Sequence, residues 1–130
     1  LKRNNRMGSP PGGIGPRSAT DHAGIAAMES KVVSVSAAGV TQVVVPTQSA
    51  QKIKVLSYSL TPSSDAADFQ WATSGSTTTL LTGIMGGDAG IPMTVPLNVP
   101  FGYFTTKVNE SLSVSSVGGI QGHVVYQRVY

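Results

Sequence analysis

The chain has 130 residues and a mass of 13.4 kDa, the size of one domain able to bury a core of its own. Its formal charge is +3, only 12% of its residues are charged, and it has no cysteine. These figures exclude a disulfide framework and a thiolate metal site, and they describe a chain in which Ser and Thr stand where surface charge is usual.

The sequence divides near residue 30. In residues 1–30, Pro10, Pro11 and Pro16 stand among Gly8, Gly12, Gly13 and Gly15, a density that forms neither helix nor strand. Only Gly24 to Met28 has the composition of a helical turn. Lys2, Arg3, Arg6 and Arg17 give the first twenty residues a charge of +4, whereas residues 31–130 carry five basic and four acidic residues. Most of the net charge therefore belongs to this segment. No aromatic residue precedes Tyr58, so the segment has nothing large to bury by itself.

Three readings of residues 1–30 compete: a solvated tail, an extended arm that orders on a partner surface, and a nucleic-acid contact. Thirty extended residues reach roughly 100 Å. Four dispersed cations without interleaved aromatics argue against nucleic acid as the partner. The Gly13-Ile14-Gly15 triplet is no phosphate loop, because no strand precedes it and Pro16 interrupts the chain directly after it. Residues Leu1 to Arg6 are basic, but no hydrophobic stretch comes after them as in a signal peptide. No run anywhere approaches the ~18 apolar residues of a membrane-spanning helix, so no membrane partner is expected.

From residue 31 onward, short strands alternate with turn signals. Lys31 to Ser36 is followed by Ala-Ala-Gly and then by Val40 to Val45, which Pro46 ends. Gln51 to Leu60 comes next, closed by Thr61-Pro62-Ser63-Ser64-Asp65. The remaining segments are Asp68 to Ser74, Thr77 to Gly83, Met93 to Val99, Phe101 to Thr106, Glu110 to Ser116 and Ile120 to Tyr130. Val, Ile, Thr and aromatic residues dominate them, and turns recur near every ten residues. The expected fold is all-β: an antiparallel sandwich or jelly-roll-like domain over 31–130, preceded by an extended N-terminal arm over 1–30.

Two strands raise questions about their faces. In Gln51 to Leu60, Ile53 and Val55 point one way while Leu56, Tyr58 and Leu60 point the other. Either a bulge re-aims the strand, or its second half faces a neighbouring subunit. In the last strand both faces mix apolar and polar residues, which suits a central position in a sheet.

Catalytic chemistry has little support. His22 lies in the arm and His123 in a strand, with no carboxylate spaced to join them as metal ligands. Asp65, Asp68 and Asp88 sit in turn-like contexts, where Asp bonds its own backbone. No paired carboxylates, Ser/His/Asp arrangement or phosphate loop is present. The expectation is no enzyme, no cofactor and no metal.

The stretches KIKVLSYSL, FQWATSGSTTTLLTG, PFGYFTT, ESLSVS and GGIQGHVVYQRV resemble a family of small β proteins encoded with the virion structural genes of tailed bacteriophages. The resemblance covers residues 51–130 and leaves out the basic arm. It implies a virion component with a sandwich fold, often a decoration or cement protein on the outside of the head shell. The expected partners are then the major capsid protein and further copies of the chain, as a homotrimer, on a particle assembled in the host cytoplasm. Under that reading Lys2, Arg3, Arg6 and Arg17 meet acidic groups on the shell, and Ile14, Ile25 and Met28 fill small apolar grooves. Tyr58, Leu60, Phe101, Tyr103 and Phe104 are the expected oligomer interface, since aromatics are enriched at such contacts. The rival readings are a tail, fibre, baseplate or neck module and, third, a carbohydrate-binding sandwich.

Overall fold

The computed structural model describes residues 27–64, 67–86 and 88–130. Over these residues the chain forms nine strands: β1 (Met28–Val35), β2 (Gly39–Val44), β3 (Lys52–Pro62), β4 (Phe69–Ser74), β5 (Thr78–Leu80), β6 (Met93–Val95), β7 (Phe104–Thr105), β8 (Ser111–Ser116) and β9 (Ile120–Val129). They build two antiparallel sheets. One has the order β1-β9-β3-β6, with β7 also on β3; the other has the order β2-β8-β4-β5. The sheets pack face to face as the expected β-sandwich, and the β1–β2 connection crosses from one to the other. Ile53, Val55, Leu60, Phe69, Trp71, Leu112, Val114, Ile120 and Val124 fill the space between them. Trp71 meets Tyr58 edge-on, with ring centroids 5.3 Å apart, an arrangement favoured by the aromatic quadrupole.

The mixed faces of β3 come from a bulge. Val55 pairs with Tyr126 and Ser57 with Val125, which leaves Leu56 as an extra residue. Side chains alternate before and after the insertion, but the alternation changes phase across it. Ile53, Val55, Leu56, Tyr58 and Leu60 are all buried as a result. A second bulge, at Val43, does the same in β2, where Val43 and Val44 are both buried. At Val43 and Val44 two consecutive apolar residues thereby enter the core, while Leu56 is buried beside Val55 but outside the main core cluster.

β9 is the inner strand between β1 and β3, and its pairing extends from Ile120 to Val129. The C-terminus is thereby fixed in the sheet. Arg128 ties this end together: its guanidinium lies 3.1 Å from the Glu29 carboxylate of β1 and donates to the Val45 carbonyl and the Gln51 side chain at 2.9 Å each. The Tyr130 ring is exposed, yet its hydroxyl bonds both Gln48 and Gln51.

Several boundaries differ from those read in the sequence. β1 starts at Met28, so the sheet takes in the last residues of the segment set apart as the arm. Met28 pairs with Gln127 as the first residue of a strand instead of lying in a free arm. The apolar run from Met93 to Thr106 yields only β6 and β7, because Pro96 and Pro100 have no N–H for a ladder. Between these two strands lies a loop.

Candidate interaction surface

Residues 96–103 form that loop on the outer edge of the first sheet, and the β3 bulge anchors it. The Asn98 N–H donates to the Leu56 carbonyl at 3.0 Å and the Tyr103 N–H to the Val55 carbonyl at 2.8 Å. Inside the loop, the Gly102 N–H donates to the Asn98 carbonyl, and the Asn98 side chain donates back to the Gly102 carbonyl at 3.1 Å. The Tyr103 hydroxyl donates to the Pro96 carbonyl at 2.6 Å, and the Lys54 ammonium donates to the Pro100 carbonyl. Gly102 has φ +72°, and a Cβ there would sit 2.8 Å from the Val55 carbonyl oxygen. Only glycine combines that backbone with that approach.

So many internal bonds make the loop rigid, and what it presents is apolar. Phe101 is 82% exposed at its tip, flanked by the exposed side chains of Leu97 and Val99. Lone exposed apolar residues are ordinary, but three on one braced loop of eight residues make it a candidate interaction surface.

The interface residues expected from the sequence separate into two sets. Tyr58 and Leu60 are 4% and 0% exposed, so they belong to the core and are not available to a neighbour. The bulge at Leu56 is the reason, since it turns the second half of β3 inward. Phe104 is half-buried and its ring lies 6.1 Å from that of Trp71. Phe101 and Tyr103 do remain on the surface. Leu97 and Val99 belong with them, although their apolar pattern reads as strand; the flanking Pro96 and Pro100 are the signal for a loop. Lys2, Arg3, Arg6, Ile14, Arg17, Ile25 and His22 lie outside the described residues, while Met28 is half-exposed at the start of β1.

A second feature lies at the end of the sandwich where β3 finishes and β4 begins. An open cleft of about 130 Å³ is lined by Asp68, Phe69, Gln70, Ile84, Ser115, Ser116 and Val117. Main-chain bonds between Phe69 and Met85 hold its walls, as does the Val117 N–H on the Asp68 carbonyl. Ile84 and Val117 form an exposed apolar rim, at 72% and 66%. Ser116 is only 7% exposed; it pairs with Phe69 on the side of β8 that holds Leu112 and Val114, so its hydroxyl, which has no hydrogen-bond partner, faces the core and not the cleft.

The charges are sorted along the strand axis. Lys52, Lys54, Lys107 and Arg128 gather where β3 begins and β9 ends, together with Glu29 and Glu110. Asp68 and Asp88 lie at the opposite end, with no Lys or Arg among the described residues there. His123 stands alone in β9, opposite Val32 and Ser59. Among the described residues no three His, Asp or Glu side chains come together as metal ligands, and no helix is long and apolar enough to cross a membrane. Comparison with protein-family models, with curated proteins and with solved structures gives no match.

Proposed function

We propose that the chain is a structural, non-enzymatic virion protein that decorates the head shell of a tailed bacteriophage, held there by the 96–103 loop and by its basic arm, and that it acts as a homotrimer. The observation that carries this reading is the braced loop with Phe101 at its tip. A rigid apolar projection loses less conformational entropy when it docks than a flexible one, so more of its burial remains as affinity. Burying a phenylalanine side chain contributes about 1.5–3 kcal/mol, and Phe101 starts 82% exposed. The low charge of the domain suits close packing against other subunits, since charges are depleted at interface cores. The resemblance of residues 51–130 to phage virion β proteins supplies the identity of the surface, the outside of the head shell built by the major capsid protein.

Quantifying the chain in purified particles tests this. Decoration requires a copy number that scales with the number of shell subunits; a few copies per particle would reassign the chain to the tail or neck, and absence from particles would overturn the reading. Phe101→Ser should then fold normally and bind shells at least tenfold more weakly, a change of about 1.4 kcal/mol or more. Unchanged binding would reject the loop as the attachment point.

A further inference from the structure

Among the described residues, every sheet edge but one is short or interrupted. β5 and β6 have three residues each and β7 has two, while β2 carries the bulge at Val43. β1 is different. It pairs with β9 without a break from Met28 to Val35, contains no proline, and has no strand on its other side among the described residues. A regular edge of eight residues offers a row of main-chain donors and acceptors to a further strand. Its exposed side chains determine which strand fits. Met28 is 54% and Val32 74% exposed, and alternation puts both on the outer face of the sheet with Ser30 between them. Glu29 and Lys31 take the other face. The Glu29 side chain keeps 41% of its exposure beside Arg128, and Lys31 forms no ion pair among the described residues.

We propose that β1 pairs antiparallel with β1 of a second copy about a twofold axis at Ser30, so that the first sheets of two copies run on as one. A twofold contact requires a self-complementary surface, in which residue i meets j and j meets i. With Ser30 on the axis, Glu29 of each copy lies opposite Lys31 of the other, and Met28 lies opposite Val32. Opposite charges and apolar pairs directly across a ladder stabilise it, whereas like charges there oppose it. A shift of the axis by one residue sets Glu29 against Glu29 or Lys31 against Lys31. The axis at Ser30 also keeps the paired stretch clear of Ser36 to Ala38, where the chain crosses to the second sheet. The chain's own preceding residues match this edge less well. Asp21 is the only acid ahead of Glu29. Setting it against Lys31 puts Ala23 against Glu29 in an antiparallel fold-back, or Ala19 in a parallel one, so the second charge goes unmatched in either direction. The contact follows from the fold and needs neither shell nor trimer; where trimers form, it joins one to the next.

Disulfide cross-linking of the full chain, with no capsid present, tests it. The chain has no cysteine, so Ser30→Cys introduces a single thiol at the axis, where its counterpart stands directly opposite and within disulfide range. Ser34→Cys is the control. Ser34 is also exposed and on the same face of β1, but it lies four residues from the axis, so its counterpart is about 26 Å away. Under mild oxidation Ser30→Cys should form covalent dimers at least tenfold faster than Ser34→Cys. Adding Lys31→Glu to Ser30→Cys sets like charges opposite one another at both pairs, and at low salt it should slow the cross-link roughly fivefold or more. Both substituted serines are exposed, and circular dichroism confirms that each variant keeps its β structure. Equal rates in the two cysteine variants would overturn the proposal. So would a Ser30→Cys cross-link that Lys31→Glu leaves unchanged, or a folded Ser30→Cys protein that stays monomeric, the result expected if the same chain covers its own β1 edge.

Discussion

One methyl group on Gly122 tests whether β9 is the spine of the first sheet. Gly122 lies within β9, opposite Val33 of β1 and Leu60 of β3. Its φ is +156°, and a Cβ built there would overlap the Ser59 carbonyl oxygen, with Ser59 C at 2.9 Å and Leu60 Cα at 3.0 Å. All three obstacles are backbone of the adjacent strand, so no side chain can swing away. A carbon–oxygen contact needs about 3.3 Å, so relief requires a backbone shift on the order of 1 Å. A shift of that size stretches the neighbouring ladder bonds beyond useful length, at about 1 kcal/mol each. Backbone strain adds about 1–3 kcal/mol. Gly122→Ala should therefore cost about 3–5 kcal/mol and lower the melting temperature by about 15 °C or more. The assay is thermal and urea unfolding followed by β-sheet circular dichroism. Gly83→Ala is the control, since nothing lies within 4 Å of a Cβ there, and it should change stability by less than about 1 kcal/mol. A Gly122→Ala protein melting within ~3 °C of wild type would show that the β3–β9 register is not as described.

Leu60→Ala should cost about 2–5 kcal/mol in the same unfolding experiment, because its side chain is fully buried; a change below about 0.5 kcal/mol, as for a surface site, would return Leu60 to the interface. Tyr58 and Tyr126 hold their protons more tightly than a free tyrosine, first because burial disfavours the phenolate and, for Tyr126, next because of the Glu29 carboxylate. Above pH ~10 the unfolded chain loses these protons before the folded one does, so the stability they give is complete below pH ~10 and is lost as pH rises beyond it. Stability measured across pH 9–11.5 should fall, and Tyr58→Phe should flatten part of the slope; an unchanged slope in that variant refutes the assignment. Arg128→Met should cost about 1–3 kcal/mol, since the guanidinium also holds Val45 and Gln51 besides the partly exposed Glu29; hydrogen exchange should show its loss first at the β1 and β9 ends, and uniform exchange would contradict that local role.

Most of the strand framework was legible because Val, Ile and Thr alternate between Gly- and Pro-marked turns. Phe69, Trp71, Val55 and Val124 are apolar residues of those segments, and all four are buried. Strict alternation failed where the chain inserts a residue. The sequence of β3 signalled a change of face, but parity alone could not tell whether Leu60 turned to a partner or into the same core, since that depends on what Tyr126 and Val125 pair with. The candidate site was legible only in pieces. Phe101 and Tyr103 stood out as aromatics, whereas Leu97 and Val99 were hidden in an apolar run that Pro96 and Pro100 keep out of the ladder. The cleft had no local signature. It needs Phe69 beside Met85 and Val117 beside Asp68, contacts between segments far apart in the chain.

The two contacts proposed for shell binding rest on different forces, which makes them separable. The 96–103 loop projects from the outer edge of the first sheet, and its tip is apolar. Burial of that tip does not weaken in salt, and strongly excluded salts such as sulfate strengthen it. The arm acts through Lys2, Arg3, Arg6 and Arg17, and salt screens such charges within a few ångströms at high concentration. Raising the salt should therefore release the arm contact first and leave the loop contact to hold the chain. Shell binding measured against salt should fall and then level off at a weaker, salt-insensitive affinity. Phe101→Ser should show the reverse: a weakened binding that persists at low salt and is lost as salt rises. If salt instead removes the Phe101-dependent affinity together with the rest, the loop does not bind through its apolar tip, and the division between an apolar edge and a charged arm is wrong.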